Sequence, residues 1–189
     1  MTNRISHNIY DDIDEVLYSE EELNEKCQEL ANLIDKDYQG KELVLVGILK
    51  GSFMFMSDLA KRTKIPLEIE FMAVSSYGNA AKSSGVVRIL KDLDTDIKDK
   101  HVLLVEDIID SGNTLNYLMD YLKGRGAASV EVMCLLDKPA GRTLDISVKY
   151  VGYVVPDAFI IGYGIDYAER YRNLPYVATL KEEIYRSTN

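Results

Sequence analysis

The sequence has few of the residues that mark disulfide-rich, zinc-binding or membrane-spanning proteins. It contains two cysteines, Cys27 and Cys134, which form no CxxC pair and cannot make a zinc site by themselves. No apolar run approaches the roughly 20 residues of a membrane span, and residues 1–7 contain no apolar targeting segment. These absences predict a protein without a membrane partner, located in the cytoplasm.

Basic residues are also scarce relative to acidic ones. The chain has 22 Lys and Arg against 31 Asp and Glu, which gives a formal net charge of −9. Nucleic acid is not an expected partner, because its phosphates would be repelled, although a local basic pocket for a phosphorylated small molecule remains compatible with this charge. Leu, Ile, Val and Phe supply 56 of the 189 residues, enough for the core of one globular domain.

Apolar periodicity predicts an alternation of helices and strands. Ser19 and the acids after it predict the start of a helix over 20–36. Two strand–loop–helix units follow: a strand at 43–48 with a helix through 53–60, and a strand at 101–105 with a loop at 106–112 and a helix through 115–122. Further strands are predicted at 66–75, 86–90, 129–136, 147–152 and 158–162.

Continuous apolar strands followed by helices are typical of a parallel sheet that is buried on both faces. We therefore predict an α/β fold, with a doubly wound, mainly parallel sheet flanked by helices and a small hood from the terminal segments. The expected single domain spans 1–189, with a core at about 38–170 and a hood from about 1–18 and 140–189. The small, polar, glycine-punctuated segment 75–85 predicts either a flexible lid loop or a solvent-facing hairpin.

The segment 102–115 contains the clearest chemical signal. Glu106 and Asp107 leave the end of an apolar strand, where ligands bind in open α/β sheets. Two adjacent carboxylates repel one another unless they face a divalent cation or the hydroxyl groups of a ligand. The residues from Asp110 to Thr114 then open a helix with hydroxyls, a glycine and backbone N–H groups, which indicates a phosphate-binding loop.

The run Val-Glu-Asp-Ile-Ile-Asp-Ser-Gly-Asn-Thr-Leu at 105–115 resembles the phosphoribosyl pyrophosphate motif of the type I phosphoribosyltransferases. Its Glu-Asp-Ile-Ile-Asp form resembles that of the hypoxanthine-guanine phosphoribosyltransferases in particular. Leu49-Lys50-Gly51 resembles the family's pyrophosphate loop, and Ser76-Tyr77 resembles its lid. The segments 135–139 and 156–167 resemble its purine-site segments, so that the resemblance covers about residues 8–180.

The resemblance implies a purine salvage reaction, in which hypoxanthine or guanine displaces pyrophosphate from phosphoribosyl pyrophosphate to give IMP or GMP. It implies that Glu106 and Asp107 hold the ribose hydroxyls, directly or through Mg²⁺, and that Asp110 is the general base near N7 of the purine. The 5′-phosphate would be bound by Ser111, Gly112, Asn113 and Thr114. Asn113 stands where some relatives have lysine, but a backbone N–H cradle needs no particular side chain.

For the leaving group, the resemblance implies a pyrophosphate site made by Lys50, Gly51 and Arg172. In the family the peptide bond before this lysine is often cis. Asp166 would help to bind a second Mg²⁺, and its backbone carbonyl would meet the base.

For the purine, the resemblance implies that Lys138 donates to the 6-oxo group, because an ammonium can only donate hydrogen bonds. Adenine has an amino group at that position and should be rejected. Phe159 would stack on the base, the backbone of Ile160 would bond its Watson–Crick edge, and Ser76 and Tyr77 would close the lid.

Two alternatives remain open from the sequence alone. A xanthine-preferring 6-oxopurine phosphoribosyltransferase would use Lys138 in the same way. An RNA-binding regulator on the same fold would need a basic face, which the net charge of −9 opposes. The resemblance also implies a homodimer or homotetramer.

Overall fold

A computed structural model describes residues 8–76 and 87–186, and it describes the backbone but not the side chain of Ser76. The predicted lid residue Tyr77 lies outside the described residues. Short 3-10 turns cover Ile9–Asp12 and Pro139–Gly141. The other elements, in chain order, are β1 Ile13–Tyr18, α1 Glu20–Asp37, β2 Leu43–Leu49, α2 Phe53–Arg62, β3 Leu67–Ser76, β4 Val87–Lys91, β5 His101–Ile109, α3 Asn113–Gly124, β6 Ser129–Asp137, β7 Tyr150–Val154, β8 Ile160–Ile161, β9 Val177–Leu180 and α4 Glu182–Arg186.

The central sheet has six strands in the order β4-β3-β2-β5-β6-β7. All neighbours are parallel except β4, which pairs antiparallel with β3 at one edge. The helices cover both faces of this sheet. Apolar residues of α1 and α2 pack with one set of strand residues, and those of α3 pack with the alternate set. The predicted doubly wound, mainly parallel α/β fold is confirmed.

Helix α1 shows how local sequence sets an element's bounds. The Ser19 side chain accepts a hydrogen bond from the backbone N–H of Glu22, and the Glu22 carboxylate accepts one from the backbone N–H of Ser19. This capping box starts the helix at the predicted residue. Leu23, Cys27 and Ile34 then recur on one face and are fully buried against the sheet.

A second, antiparallel sheet has the order β1-β9-β8 and joins the two ends of the described chain. Ile13 pairs with Leu180, so this sheet depends on contacts between residues far apart in sequence. Within the predicted hood range of 140–189, strands β8 and β9 belong to this sheet, whereas β7 belongs to the central one. Strands β1 and β9 were not predicted, because neither has a clear alternating pattern: β1 is largely exposed and β9 is buried along its length.

Three of the predicted strands differ from the structure by more than one residue at an end, and the one predicted at 158–162 is only Ile160–Ile161. The strand predicted at 101–105 continues to Ile109, because β6 pairs with it as far as Ile109↔Asp137. The predicted loop at 106–112 is therefore wrong for its first four residues. The strand predicted at 147–152 lies at 150–154 instead. Within 8–76 and 87–186, the structure contains no helix that is long and apolar enough to cross a bilayer.

Candidate active site

The carboxyl ends of β2, β5 and β6 meet at one edge of the central sheet, and predicted site residues follow each of them. The Lys50–Gly51 loop lies directly against the end of β5. A Cβ placed on Gly51 would be 1.8 Å from Oδ2 of Asp107, so only glycine allows this approach. The peptide bond between Leu49 and Lys50 is cis.

Glu106 and Asp107 are consecutive residues of β5, so their side chains point to opposite faces of the strand. Burial, and then the charge of Asp107, raise the pKa of Glu106 well above its usual value. Burial raises the pKa of Asp107 to about 6, against hydrogen bonds from backbone N–H groups and the nearby Arg172 charge, which lower it. A cation bound beside either carboxylate would lower its pKa and favour its ionised form.

The predicted 5′-phosphate loop encloses a cleft of about 160 Å³ between β5 and the start of α3, which Glu106 also lines. Gly112 has a φ of 84° and turns the chain into α3, a conformation that side chains other than glycine rarely adopt. The Ser111 hydroxyl accepts a hydrogen bond from the backbone N–H of Asn113 at 3.4 Å. Thr143, from the segment after β6, donates through its own N–H and its hydroxyl to the carbonyl of Ser111. The loop is therefore supported by a second segment of the chain.

Asp110 is exposed at the mouth of the cleft and packs against the turn after β6. A Cβ on Gly141 would lie 1.4 Å from Oδ1 of Asp110, so the carboxylate rests directly on that glycine. Nε of Arg142 donates to the backbone carbonyl of Asp110 at 3.1 Å, and its Nη2 forms an ion pair with Asp137 at the end of β6. Sequence reasoning missed this support, because Gly141 and Arg142 lie outside the motifs.

Lys138 follows β6 and is largely buried, with 17% of its side chain exposed. Its ammonium nitrogen lies 2.9 Å from Oδ1 of Asp157 and donates to the carbonyl of Ala158 at 3.3 Å. These contacts aim the ammonium toward the predicted purine segment at 156–167. Asp157 was not predicted as a site residue, since no local pattern marks it as the partner of Lys138.

Phe159 presents an aromatic face at the edge of the second sheet, where 36% of the residue is exposed. Its ring stacks on Tyr185 of α4 with a centroid distance of 4.8 Å and meets Tyr167 edge-on at 5.1 Å. The side chain of Ile160, the next residue, is buried in the main core. A partly exposed aromatic therefore comes directly before β8, whose two residues, Ile160 and Ile161, are both buried.

Arg172 contacts the segment 164–169, which also reaches Lys50 of the predicted pyrophosphate loop. Its guanidinium contacts Oδ1 of Asp166 at 2.8 Å and donates to the carbonyl of Gly164 at 2.8 Å. Glu169 pairs with Lys50 at 2.8 Å and lies 3.6 Å from Arg172. Glu169 was missed from sequence, because its relation to Lys50 depends on a contact across 119 positions.

The comparisons with known proteins agree with this geometry. Residues 15–168 match the family model described as "Phosphoribosyl transferase domain". A hypoxanthine-guanine phosphoribosyltransferase of Bacillus subtilis is 52% identical over 176 residues, which cover 93% of this chain and 98% of that protein. The chain belongs to the hypoxanthine-guanine phosphoribosyltransferase family.

A solved relative has nearly the same fold. The crystal structure of a hypoxanthine phosphoribosyltransferase from Staphylococcus aureus superposes with a TM-score of 0.92 at 51% identity, covering 96% of this chain and 98% of that one. The bifunctional protein TilS/HprT of Listeria monocytogenes is 54% identical over 180 residues, but the chain spans only 28% of its length. The relatives therefore include a protein of about this chain's length and a much longer one.

A divalent metal requirement is consistent with this family. Among the described residues, no three carboxylate, histidine or cysteine side chains are grouped closely enough to form a metal site. Asp166 nevertheless lies close enough to Asp107 for its charge to raise the pKa of Asp107, and Arg172, which pairs with Asp166, lowers it. Because Mg²⁺ binds through few carboxylates together with waters and ligand oxygens, this donor set fits an ion that arrives with its phosphorylated substrate.

Proposed function

We propose that this chain transfers the 5-phosphoribosyl group from phosphoribosyl pyrophosphate to N9 of hypoxanthine or guanine, giving IMP or GMP and pyrophosphate in purine salvage. The main support is that the acidic end of β5, the phosphate loop, Lys50–Gly51 and Lys138 meet at one sheet edge. They do so in a chain that is 52% identical, over nearly its whole length, to a protein named hypoxanthine-guanine phosphoribosyltransferase.

The phosphate loop and the acidic pair would bind the sugar phosphate. Ser111, Gly112, Asn113 and Thr114 would hold the 5′-phosphate in the cleft at the start of α3, where the helix dipole favours an anion. Glu106 and Asp107 would hold the ribose hydroxyls, directly or through Mg²⁺. These contacts orient the reacting carbon of the ribose toward the base.

The leaving pyrophosphate would be bound by Lys50, Gly51 and Arg172. As the bond to the sugar breaks, positive charge develops on the ring and negative charge on the leaving group, so positioned cations lower the barrier. Lys50 and Arg172 are both held by Glu169, and a polyanion would replace that carboxylate. Mg²⁺ bound near Glu106, Asp107 and Asp166 would neutralise further charge on the pyrophosphate.

The purine would lie between Lys138 and the aromatic edge of the second sheet. Lys138 would donate to the 6-oxo group, Phe159 would stack on the ring, and backbone groups of Ile160 and Asp166 would bond the base. Asp110 would accept the proton that a neutral purine loses when N9 attacks. The lid residues Ser76 and Tyr77 would close over the site and exclude water.

The two alternatives have no support among the relatives, several of which are named as hypoxanthine or hypoxanthine-guanine phosphoribosyltransferases. The substrates of a phosphoribosyltransferase are small molecules. We further propose a cytoplasmic enzyme with no nucleic acid or membrane partner that forms a homodimer or homotetramer. Sedimentation velocity measures the assembly directly, and a monomer at micromolar concentration would reject this part of the proposal.

The function is tested by a spectrophotometric assay with phosphoribosyl pyrophosphate and Mg²⁺, in which hypoxanthine, guanine, xanthine and adenine are supplied separately. We expect turnover with the first two bases, no turnover with adenine, and loss of activity when EDTA removes the metal. Turnover of xanthine alone would support the first alternative. No turnover with any base would reject the function, and binding of RNA would then be measured across salt concentrations.

A further inference from the structure

The segment Gly162–Asp166 has an unusual backbone beside the proposed pyrophosphate site. Gly162, Tyr163 and Gly164 have φ values of 93°, 49° and 100°, so three successive residues are in the left-handed region. Such a conformation is uncommon for a tyrosine and persists only where surrounding contacts hold it. The contacts of Tyr163 therefore show what holds this backbone conformation in place.

The backbone of this segment presses against the Lys50–Gly51 loop. A Cβ on Gly164 would lie 2.0 Å from the carbonyl oxygen of Gly51, so the two backbones are in direct contact. The carbonyl of Gly164 also accepts a hydrogen bond from Nη1 of Arg172. A shift of Gly164 would thus displace two of the three groups assigned to pyrophosphate.

The side chain of Tyr163 points away from the site and into the helical layer. Tyr163 is buried, with 5% of the residue exposed, and its hydroxyl donates to Oδ2 of Asp58 in α2 at 2.5 Å. The same hydroxyl lies 3.6 Å from Sγ of Cys27 in α1. Helix α2 begins two residues after Gly51, so the Tyr163–Asp58 bond connects the loop of Gly164 to the helix that follows the pyrophosphate loop.

The protonation states of Tyr163 and Asp58 favour a strong hydrogen bond between them. Burial raises the pKa of Tyr163 far above its ordinary value, so the phenol keeps its proton. Burial acts to raise the pKa of Asp58, but hydrogen bonds from Lys61 and Tyr163 outweigh it and leave that pKa below its usual value. A neutral donor therefore faces an ionised acceptor, which is the stronger kind of hydrogen bond.

Space is available for the loop to move if this bond is lost. A cleft of about 430 Å³ adjoins the pair and is lined by Asp58 and Tyr163 among others. The backbone N–H groups of Tyr163 and Gly164 also donate to the carbonyls of Leu174 and Arg172, and the Tyr163–Asp58 bond adds a side-chain link from this segment to α2.

We propose that Tyr163, held by Asp58, is a positioning residue that keeps the backbone of Gly164 against Gly51 and so preorganises the pyrophosphate site. The inference rests on the proposed function. It assigns to Tyr163 a selective effect on the phosphoribosyl pyrophosphate side of the reaction, whereas a purely structural tyrosine would affect both substrates alike or neither.

The test compares apparent KM values for phosphoribosyl pyrophosphate, with saturating Mg²⁺, and for hypoxanthine. Tyr163→Phe and Asp58→Ala each remove the bond, whereas Asp58→Asn keeps an acceptor oxygen. Tyr150→Phe is the matched control, because Tyr150 donates to Oδ2 of Asp37 at 2.6 Å at the opposite end of the sheet. Thermal unfolding of each variant reports its stability.

For Tyr163→Phe and Asp58→Ala we expect KM for phosphoribosyl pyrophosphate to rise about fivefold or more, with KM for hypoxanthine within about twofold of wild type. Asp58→Asn should recover most of the loss, and Tyr150→Phe should change neither KM. An unchanged KM for phosphoribosyl pyrophosphate, or equal rises for both substrates, would overturn the inference. If Tyr163→Phe does not fold, Asp58→Ala and Asp58→Asn make the same comparison.

The wild-type protein separates the two hypotheses. If wild type turns over hypoxanthine while Tyr163→Phe matches it in both KM values, only the positioning role is rejected. If wild type itself shows no turnover with any purine, the proposed function is rejected first, and the positioning role fails with it.

Discussion

Asp110, the proposed general base, and Lys138, the proposed specificity residue, are each held in place by neighbouring segments of the chain. Asp110 is exposed yet rests on Gly141, and Lys138 is largely buried yet keeps its ammonium near two oxygen acceptors. Both residues were predicted from motifs that resemble those of the phosphoribosyltransferase family. Their supports, Gly141, Arg142 and Asp157, were not, because those residues have no recognisable pattern of their own.

We expect Asp110→Asn to lower kcat with hypoxanthine roughly 10²-fold or more, because the amide cannot take the purine proton. Binding of phosphoribosyl pyrophosphate, measured by calorimetry, should stay nearly unchanged, since the substitution preserves shape. Asp120→Asn, on the exposed face of α3, serves as the control. An unchanged kcat in Asp110→Asn would exclude this aspartate as the general base.

We expect Lys138→Ala to raise KM for hypoxanthine by roughly 10- to 100-fold, the scale of a lost hydrogen bond from a charged group. KM for phosphoribosyl pyrophosphate should change much less, because the ammonium faces the purine segment. Steady-state kinetics with each substrate varied in turn checks this, with the exposed Lys123→Ala as control. Equal losses for both substrates would contradict the specificity role.

At the scale of elements, the site is formed where strand ends meet turns from elsewhere in the chain. Strand β5 continues through Glu106 and Asp107 to Ile109, so these carboxylates are held by sheet hydrogen bonds and not by a loop. The pattern of apolar residues stops at Val105, and the sequence therefore predicted a shorter strand. Pairing with β6 decides where β5 ends, and such pairing is not visible in one segment.

The packing of the turn after β6 against Asp110 can be tested by substituting Gly141. We expect Gly141→Ala to lower kcat about tenfold or more, because the new Cβ would overlap Oδ1 of Asp110 and force that carboxylate to move. Stability should hardly change, since Gly141 lies in a partly exposed turn. Kinetics together with thermal unfolding separates the two effects.

Gly124→Ala is the matched control for this substitution. Gly124 is the last residue of α3, with no atom within 4 Å of an added Cβ, and alanine favours helix there. Activity in Gly124→Ala should equal that of wild type. If Gly141→Ala also retained full activity, close packing of the turn against Asp110 would have no part in catalysis.

At the scale of the whole molecule, a buried polar bond ties the 3-10 turn before β1 to the segment that contains Arg172. The Tyr171 hydroxyl donates to Oδ2 of Asp12 at 2.6 Å, and both residues are buried. Burial, together with this bond to the Asp12 carboxylate, raises the pKa of Tyr171 to about 12. An unfolded tyrosine titrates near its ordinary value of 10.

Because the pKa of Tyr171 is higher in the folded state than in the unfolded state, the stability that it contributes decreases at high pH. The folded state binds the Tyr171 proton more tightly than the unfolded state does. The contribution of Tyr171 to the free energy of unfolding is therefore complete below pH 10 and is lost as the pH rises to 12. Guanidinium unfolding at pH 8, 10 and 12 should therefore show the free energy of unfolding of Tyr171→Phe approaching that of wild type as pH rises. A constant difference between the two proteins would rule out this contribution.

The sequence by itself determined the fold class, the order of the main elements and the residues that carry the proposed chemistry. Helix α1 begins after its predicted N-cap, Ser19, and the apolar runs at 43–48 and 102–105 lie in buried parallel strands. These features are local, because capping, periodicity and strand burial depend on neighbours within a few residues. The motif at 105–115 is local in the same sense.

Only the tertiary structure decided which distant groups meet. Ile13 pairs with Leu180, the backbone of Gly164 lies on Gly51, and the hydroxyl of Tyr163 reaches Asp58. Each contact joins residues more than 100 positions apart, and each depends on the close approach of backbones or on a single hydrogen bond. No local pattern encodes such a partner, because it is the packing of the whole chain that brings the two groups together.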